Sequence, residues 1–132
     1  MKFRAPTLRT MVAVLIFILA SGIQHDCHTY LADLKSSTPK DSKQGAGQYK
    51  IPTHPAFAGL IAPHYTTECL IYFALAVVAA PEGQWINLSL TSALIFVTVN
   101  LGVTAGLARQ WYEKRFGAEA VKRKWNMIPF IY

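Results

Sequence analysis

The side chains best suited to chemistry in this sequence lie where a polar segment enters an apolar one. His64 and Glu68 stand at the start of a run whose residues 70–80 are almost all apolar. Side chains four residues apart share one face of an α-helix, so the imidazole and the carboxylate are expected to lie together. A carboxylate among apolar groups is costly unless it is paired or protonated, so the pattern predicts a functional site. An acid near a helix start also interacts favourably with the helix dipole, so a structural role stays open.

A second group of polar side chains follows the first apolar run, which covers residues 11–20. Gln24, His25, Cys27 and His28 come soon after it. Histidine and cysteine are metal-binding types, but a zinc site needs further ligands at a matching spacing, which the sequence lacks. We therefore predict no metal site and interpret these side chains as polar residues at the membrane boundary, one or two of which line a site.

Composition places the chain among membrane proteins. Hydrophobic residues make up 52% of the sequence and charged residues 15%, values that are unusual for a soluble domain. The formal net charge is +6, yet the basic residues do not form a block with interleaved aromatic side chains, so we expect no nucleic-acid partner. Basic residues beside apolar runs instead set membrane orientation and attract anionic headgroups. The lipid bilayer is the partner that the composition predicts.

The apolar runs predict an all-α membrane protein, a partial helical bundle of about three transmembrane helices with a basic amphipathic C-terminal tail. A charged start followed by an apolar run is also the pattern of a signal peptide, so residues 1–23 are either a signal or part of a membrane helix. The predicted parts, in chain order, are a basic stretch at 1–10 and then a domain at 11–132, with helices at about 8–30, 64–80 and 85–108, a loop at 31–57 and a tail at 109–132.

The placement of basic residues predicts the orientation of these helices. Lysines are frequent in the loop at 31–57, and lysines and arginines are frequent in the tail at 109–132, whereas the connection at 81–84 has neither. Loops rich in Lys and Arg stay on the cytosolic side of a membrane. We therefore expect a multi-pass protein whose loop and C-terminus are cytosolic.

Six short segments occur in an order that resembles the C-terminal region of the steroid 5α-reductase family. The first and third are closest to its polyprenol-reducing branch, and the resemblance covers roughly residues 15–132. Each segment is short, and their shared order makes the resemblance specific. In this sequence they read QHDCH at 24–28 continued by LK at 34–35, YKIP at 49–52, PHYTTE at 63–68, NL at 100–101, WY at 111–112, and RK with IPFIY within 123–132.

The resemblance implies a reductase of the endoplasmic reticulum membrane that uses NADPH to reduce a carbon–carbon double bond. In the polyprenol-reducing branch, the alpha-isoprene unit of polyprenol is saturated to give dolichol, the lipid carrier for protein N-glycosylation. The alternatives are a steroid 3-oxo-5-alpha 4-dehydrogenase type and an enoyl-lipid reductase, so the implied substrate is polyprenol or an enone lipid. By position in the shared segments, the residues expected to bind NADPH are Gln24, His28, Lys35, Tyr49, His64, Glu68, Tyr112 and Arg123.

The charges of these residues fit such a ligand, while the chain also departs from the family. Lys35 and Arg123 suit the phosphates of NADPH, and Glu68 suits its hydroxyl or amide donors. Lys35 stands where an arginine is common, and Arg109 stands where a histidine is common. The family's N-terminal half, with its catalytic Gln-Glu pair and Tyr, is not represented in this sequence. We therefore expect catalytic residues outside this chain and a helical partner that supplies the rest of the bundle; a truncated membrane protein without catalysis is the alternative interpretation.

Overall fold

A computed structural model of the chain describes residues 6–37 and 50–132, and within those ranges all regular structure is helical. One parallel backbone bridge joins Leu60 to Trp125. The predicted all-α class is therefore confirmed for the described residues. The elements are α1 (Leu8–Ser36), α2 (Pro63–Val78) and α3 (Leu88–Phe116), with single 3-10 turns at Pro55–Phe57 and Ala118–Ala120.

Each helix begins where the sequence supplies a suitable first residue or cap. The Thr7 side chain accepts a hydrogen bond from the Thr10 amide at 3.3 Å. The Asn87 side chain likewise accepts one from the Leu90 amide at 3.1 Å. Between them, α2 begins at Pro63, whose missing N–H is no loss in a first turn. α1 and α3 therefore each start with a side-chain cap, whereas α2 starts at a proline without one.

α2 packs between α1 and α3 and runs antiparallel to both. Late residues of α1 meet early residues of α2, as the hydrogen bond between Gln24 and Glu68 shows. Asn87 ties the connection to α3, because its amide N–H donates to the Ala76 oxygen at 2.8 Å and its Nδ2 donates to the Ala79 oxygen at 3.1 Å. The C-terminal ends of α1 and α3 therefore meet the N-terminal end of α2 at one end of the bundle, which we call the site end.

Two of the helices, α1 and α3, are long and apolar enough to cross a membrane. Each has 29 residues and rises about 43 Å, whereas the hydrocarbon core of a bilayer is about 30 Å thick. α2 has 16 residues and rises only about 24 Å, because Pro81 and Gly83 follow it in a turn. α2, which the sequence predicts as a transmembrane helix, is therefore shorter than the thickness of the hydrocarbon core.

Both long helices extend beyond their predicted ends. α1 continues because Leu31 and Leu34 keep a half-buried stripe at helical spacing. α3 continues through the first part of the predicted tail, where the Arg109 and Glu113 side chains pair across one turn at 3.1 Å. α1 is also unbroken across residues 21–24, where the alternative interpretation would place the end of a signal peptide.

The segment after α3, residues 117–132, folds back onto the start of α2, and we call it the C-terminal segment. Met127 is 1% exposed and packs against Ala105 of α3, whereas Lys122 and Arg123 stay exposed. Apolar side chains of the C-terminal segment therefore complete the core at the site end. Its backbone hydrogen bonds to the residues before α2 run from Ile61 N to Trp125 O at 2.9 Å, from Ala62 N to Asn126 O at 3.1 Å and from Trp125 N to Gly59 O at 2.9 Å.

Tyr132 packs against α3. Its hydroxyl donates to the Gly102 carbonyl oxygen at 3.3 Å, and its main-chain oxygen accepts hydrogen bonds from Met127 N at 2.9 Å and Ile128 N at 3.0 Å. Gly106 leaves room for the ring, since a Cβ built there would lie 2.8 Å from the hydroxyl oxygen. Tyr132 is therefore docked on α3, whereas Phe130 and Ile131 stay exposed.

Replacing Gly106 by alanine should separate helix propensity from this contact. Alanine is favoured over glycine inside a helix by about 1 kcal/mol, and Gly22→Ala in α1 should gain that stability because a Cβ there meets nothing within 4 Å. Gly106→Ala should gain none, because its methyl group displaces Tyr132. The measurement is the free energy of unfolding of both variants in detergent micelles. Equal gains would contradict the docked position of Tyr132.

Candidate functional site

Four polar side chains face one another across the interface of α1 and α2 at the site end. Gln24 Nε2 donates a hydrogen bond to Glu68 Oε2, and the rings of His28 and His64 meet edge to face with centroids 5.2 Å apart. Each helix contributes two residues four positions apart, and the helices are antiparallel, so the two pairs form successive rungs. We call these four residues the polar ladder. The structure therefore brings together four of the eight residues that the sequence predicts to bind NADPH.

The bond between Gln24 and Glu68 explains how an acid is accommodated in a largely apolar helix. Both side chains are half-buried. An amide donor that meets an ionised acceptor makes a charge-assisted hydrogen bond, which contributes about 1.5–3 kcal/mol. The Gln24 amide occupies only one of the two carboxylate oxygens, so Glu68 keeps acceptor capacity for a further donor.

His64 carries an unsatisfied polar atom. Its Nδ1 is buried and has no hydrogen-bond partner within the described residues, while its ring packs against Tyr65 at 4.3 Å and Phe57 at 6.3 Å between centroids. A buried polar atom without a partner costs about 1–3 kcal/mol. Such atoms are uncommon and call for an explanation, and an absent ligand is one.

Other faces of α2 contact the C-terminal segment and α3 close to the polar ladder. Thr66 Oγ1 donates a hydrogen bond to the Met127 carbonyl oxygen of the C-terminal segment. One turn further along, Cys69 Sγ and Thr98 Oγ1 lie 3.4 Å apart and join α2 to α3. The helix that carries His64 is therefore held from three sides.

The connector between α1 and α2 lies against the same end of α1. The amide of Thr53 donates to the Tyr30 hydroxyl at 2.9 Å, and the Tyr30 ring packs on His54 at 5.2 Å and on Phe57 at 5.9 Å between centroids. Phe57 is 2% exposed and also contacts His64. This aromatic cluster therefore covers one side of the polar ladder.

Tyr112 lies in a different environment from the polar ladder. It is half-buried and stacks on Phe116 with ring centroids 5.9 Å apart. It also lines an apolar cavity of about 10 Å³ together with Phe57 and Lys124, a space for about one water molecule. Burial lowers the pKa of the Lys124 ammonium. The structure thus places Tyr112 at the rim of the site end.

The predicted phosphate ligands are exposed. Lys35 lies in the last turn of α1, and Arg123 lies in the C-terminal segment. Both belong to the site end, but neither is among the contacts of the polar ladder. Tyr49 lies outside the described residues, so the structure gives no position for this predicted residue.

Within the described ranges 6–37 and 50–132, no three His, Cys, Asp or Glu side chains form a group that could hold a metal ion. Both cysteines are free thiols, with Cys27 buried and Cys69 half-buried. The clustered histidines and cysteine at 25–28 do not act together, since His25 points to the surface while Cys27 is enclosed.

Sequence reasoning missed the residues that hold the C-terminal segment in place. Arg109 and Asn126 bond to each other with Nη1 and Oδ1 3.2 Å apart, and Thr66 bonds to a main-chain oxygen. The sequence indicates a structural role for Arg109 through its spacing from Glu113, which predicts an ion pair across one helical turn. Bonds to carbonyl oxygens leave no signal, because every residue offers one.

Comparison with known proteins identifies the family of the chain. The model of the family described as 3-oxo-5-alpha-steroid 4-dehydrogenase matches residues 4–132. The chain belongs to this family, which confirms the resemblance to the steroid 5α-reductases. No solved structure gives a significant match to the chain.

Curated relatives include proteins of two names. The chain is 29% identical to polyprenal reductase 2 of Oryza sativa subsp. japonica over 120 residues, 91% of this chain and 31% of the relative. It is 29% identical to polyprenal reductase of Xenopus laevis over 125 residues, 92% of this chain and 36% of the relative. It is also 29% identical to steroid 5-alpha-reductase DET2 of Gossypium hirsutum over 124 residues, 94% of this chain and 43% of the relative. The chain therefore spans less than half the length of these relatives.

A double-mutant cycle should reveal the contact between Gln24 and Glu68. We expect Gln24→Ala and Glu68→Ala to be non-additive in the free energy of unfolding by about 1.5–3 kcal/mol, the range for a hydrogen bond to a charged group. The matched control pairs Glu68→Ala with His25→Ala, whose side chain is exposed, and should be additive within about 0.5 kcal/mol. Additivity in both cycles would contradict the first rung of the polar ladder.

Proposed function

We propose that this chain is the nucleotide-binding part of an NADPH-dependent reductase that acts on a lipid with a carbon–carbon double bond conjugated to a carbonyl group. The observation that carries the proposal is the polar ladder, in which one helix face at the end of the bundle carries Glu68 and the His64 Nδ1, an atom without a partner among the described residues. Membership of the 3-oxo-5-alpha-steroid 4-dehydrogenase family supports a redox reaction on such a lipid.

The names of the relatives support a conjugated carbonyl compound as the substrate. A polyprenal is an isoprenoid aldehyde, and a 3-oxo steroid with a double bond at position 4 is an enone. In both, the carbonyl group withdraws electrons from the double bond and makes its β-carbon a hydride acceptor. The allylic alcohol polyprenol, which the sequence resemblance implies, has no such carbonyl. We therefore propose polyprenal as the substrate, with a steroid enone as the second candidate because of the Gossypium hirsutum relative.

The residues of the polar ladder have the donors and acceptors that a nicotinamide nucleotide needs. NADPH, when bound, would supply the hydride. The free acceptor capacity of Glu68 would take hydrogen bonds from ribose hydroxyls or the carboxamide, and the Nδ1 of His64 would gain the partner that it lacks. Gln24 and His28 would hold these two side chains in place from α1. Together they orient the nucleotide and exclude water around it.

The remaining predicted ligands would hold the outer part of the nucleotide. Lys35 and Arg123 are exposed cations at the site end, where phosphates could reach them from solvent. Tyr112 would contribute its ring at the rim, and we propose Tyr49 as a further ligand from its place in the shared segments. The groups that transfer the proton to the substrate would come from regions outside the length that this chain shares with its relatives.

The same arrangement suggests a location. We propose an endoplasmic reticulum membrane protein with the site end and the C-terminal segment on the cytosolic side. Support comes from the basic residues of the site end, including Lys35 and Arg123, since such residues stay cytosolic. Asn100, exposed on α3, would face further helices of the bundle, because an amide exposed to lipid is unfavourable.

Removing the acceptor of the polar ladder should weaken nucleotide binding. We expect Glu68→Ala to reduce the affinity of the chain for NADPH in nanodiscs by about 1–3 kcal/mol, the cost of leaving a donor unpaired. Glu82→Ala is the matched control, since it removes the same charge at the opposite end of α2. Isothermal titration or NADPH fluorescence measures both. Unchanged affinity in Glu68→Ala would exclude Glu68 from the nucleotide site.

The substrate assignment can be tested by a chimera. Residues 4–132 of this chain would replace the region that they match in the Xenopus laevis polyprenal reductase. We expect NADPH-dependent reduction of polyprenal, because its β-carbon accepts hydride, and no reduction of polyprenol. The assay follows both lipids by mass spectrometry, with the Glu68→Ala chimera as the control. Faster reduction of a 3-oxo-4-ene steroid than of polyprenal would favour the steroid candidate instead.

A further inference from the structure

The Arg109 side chain of α3 donates hydrogen bonds to three residues of the C-terminal segment. Its Nη2 donates to the Val121 oxygen at 3.2 Å, and its Nη1 donates to the Lys124 oxygen at 2.8 Å and to Asn126 Oδ1 at 3.2 Å. Its Nε is paired with Glu113 Oε1 at 3.1 Å, so the half-buried cation is compensated. A planar guanidinium has several donors in a fixed geometry, which lysine or histidine cannot supply.

The segment that Arg109 holds accepts two hydrogen bonds from the start of α2. Ala62, the residue before this helix, has no side-chain cap, and its amide donates instead to the Asn126 oxygen at 3.1 Å. Thr66 in the first turn donates to the Met127 oxygen. The start of α2 is therefore joined to the C-terminal segment by two hydrogen bonds, one from the Ala62 amide and one from the Thr66 side chain.

The rotation of α2 about its axis is set at this point. Thr66 lies between His64 and Glu68, and successive residues of a helix are about 100° apart. While Thr66 is bonded to Met127, the other two side chains are turned towards α1. If the C-terminal segment detached, this restraint would be lost, and the first turn of α2 would be free to fray or rotate.

We propose that Arg109 is a positioning residue for the polar ladder. It acts through the C-terminal segment, which holds the first turn of α2 at the rotation where His64 and Glu68 face Gln24 and His28. The link to NADPH affinity rests on the function proposed above, whereas the link to the order of α2 does not. Arg109 itself need not touch the nucleotide.

The test removes Arg109 and then restores its effect by a different bond. Arg109→Gln deletes the charge and most of the donors, and Lys114→Gln is the matched control, because it removes one charge from an exposed position of α3. A third variant adds Leu60→Cys and Trp125→Cys to Arg109→Gln. These two positions form the parallel bridge, and bridged residues lie about 5 Å apart, within disulfide range. The same cysteine pair with Arg109 retained controls for the disulfide itself.

Two readouts are made on the whole chain in nanodiscs. Hydrogen exchange of the amides at 64–68 should become about tenfold faster in Arg109→Gln, the factor that one such hydrogen bond supports. It should stay unchanged in Lys114→Gln and return to the original rate when the cysteine pair is oxidised. NADPH affinity should fall and recover in parallel with the exchange rates.

Three other results would decide against the proposal or against the proposed function. Unchanged exchange in Arg109→Gln would overturn the proposal. Exchange that recovers on oxidation while NADPH affinity stays low would also overturn it, because Arg109 would then act on the nucleotide directly. If the unaltered chain binds no NADPH, the proposed function fails, and the exchange rates still decide whether Arg109 positions α2.

Discussion

The hydrogen bond that the Glu68 carboxylate receives from Gln24 is the interaction on which the site end depends. An acid in the second turn of a helix that continues as an apolar run must find a donor or become protonated. Gln24 lies just beyond the apolar part of α1. Its hydrogen bond to Glu68 therefore fixes how far α1 and α2 overlap along their lengths. The same overlap then brings His28 to His64 one turn away. A single polar pair thus sets the register of two helices.

The C-terminal segment supplies the second constraint, because α2 has no side-chain cap of its own. Contacts between residues far apart in the chain hold the helix start: Arg109 holds the segment, and the segment bonds to Ala62 and Thr66. Met127 of the C-terminal segment and Ala105 of α3 also pack together in a buried apolar cluster. The site end is therefore built from the last turns of two long helices, the first turn of a short one, and a segment that returns from the C-terminal side.

The sequence predicts the helices and two halves of the site, but not how the halves join. Apolar runs and helical spacing place Gln24 with His28 and His64 with Glu68, since these patterns are local. The end of α3 is underestimated because charged residues outside a membrane continue a helix without an apolar signal. The return of residues 117–132 and the role of Arg109 are missed because they rely on main-chain oxygens, which every residue has. Lys35 and Arg123 are recognisable in the sequence as charges, and their role as phosphate ligands stays a prediction.

The most direct test of the central arrangement is site-specific cross-linking of the whole chain in membranes, with Cys27 and Cys69 first replaced by serine. Cysteine pairs at 24 with 68 and at 28 with 64 should both join rapidly with a short bis-methanethiosulfonate reagent, because each pair forms a rung between α1 and α2. The pair at 25 and 68 should not, since position 25 lies about 100° around the helix. Cross-linking of 25 with 68, or of neither rung, would place Glu68 away from α1 and contradict the account.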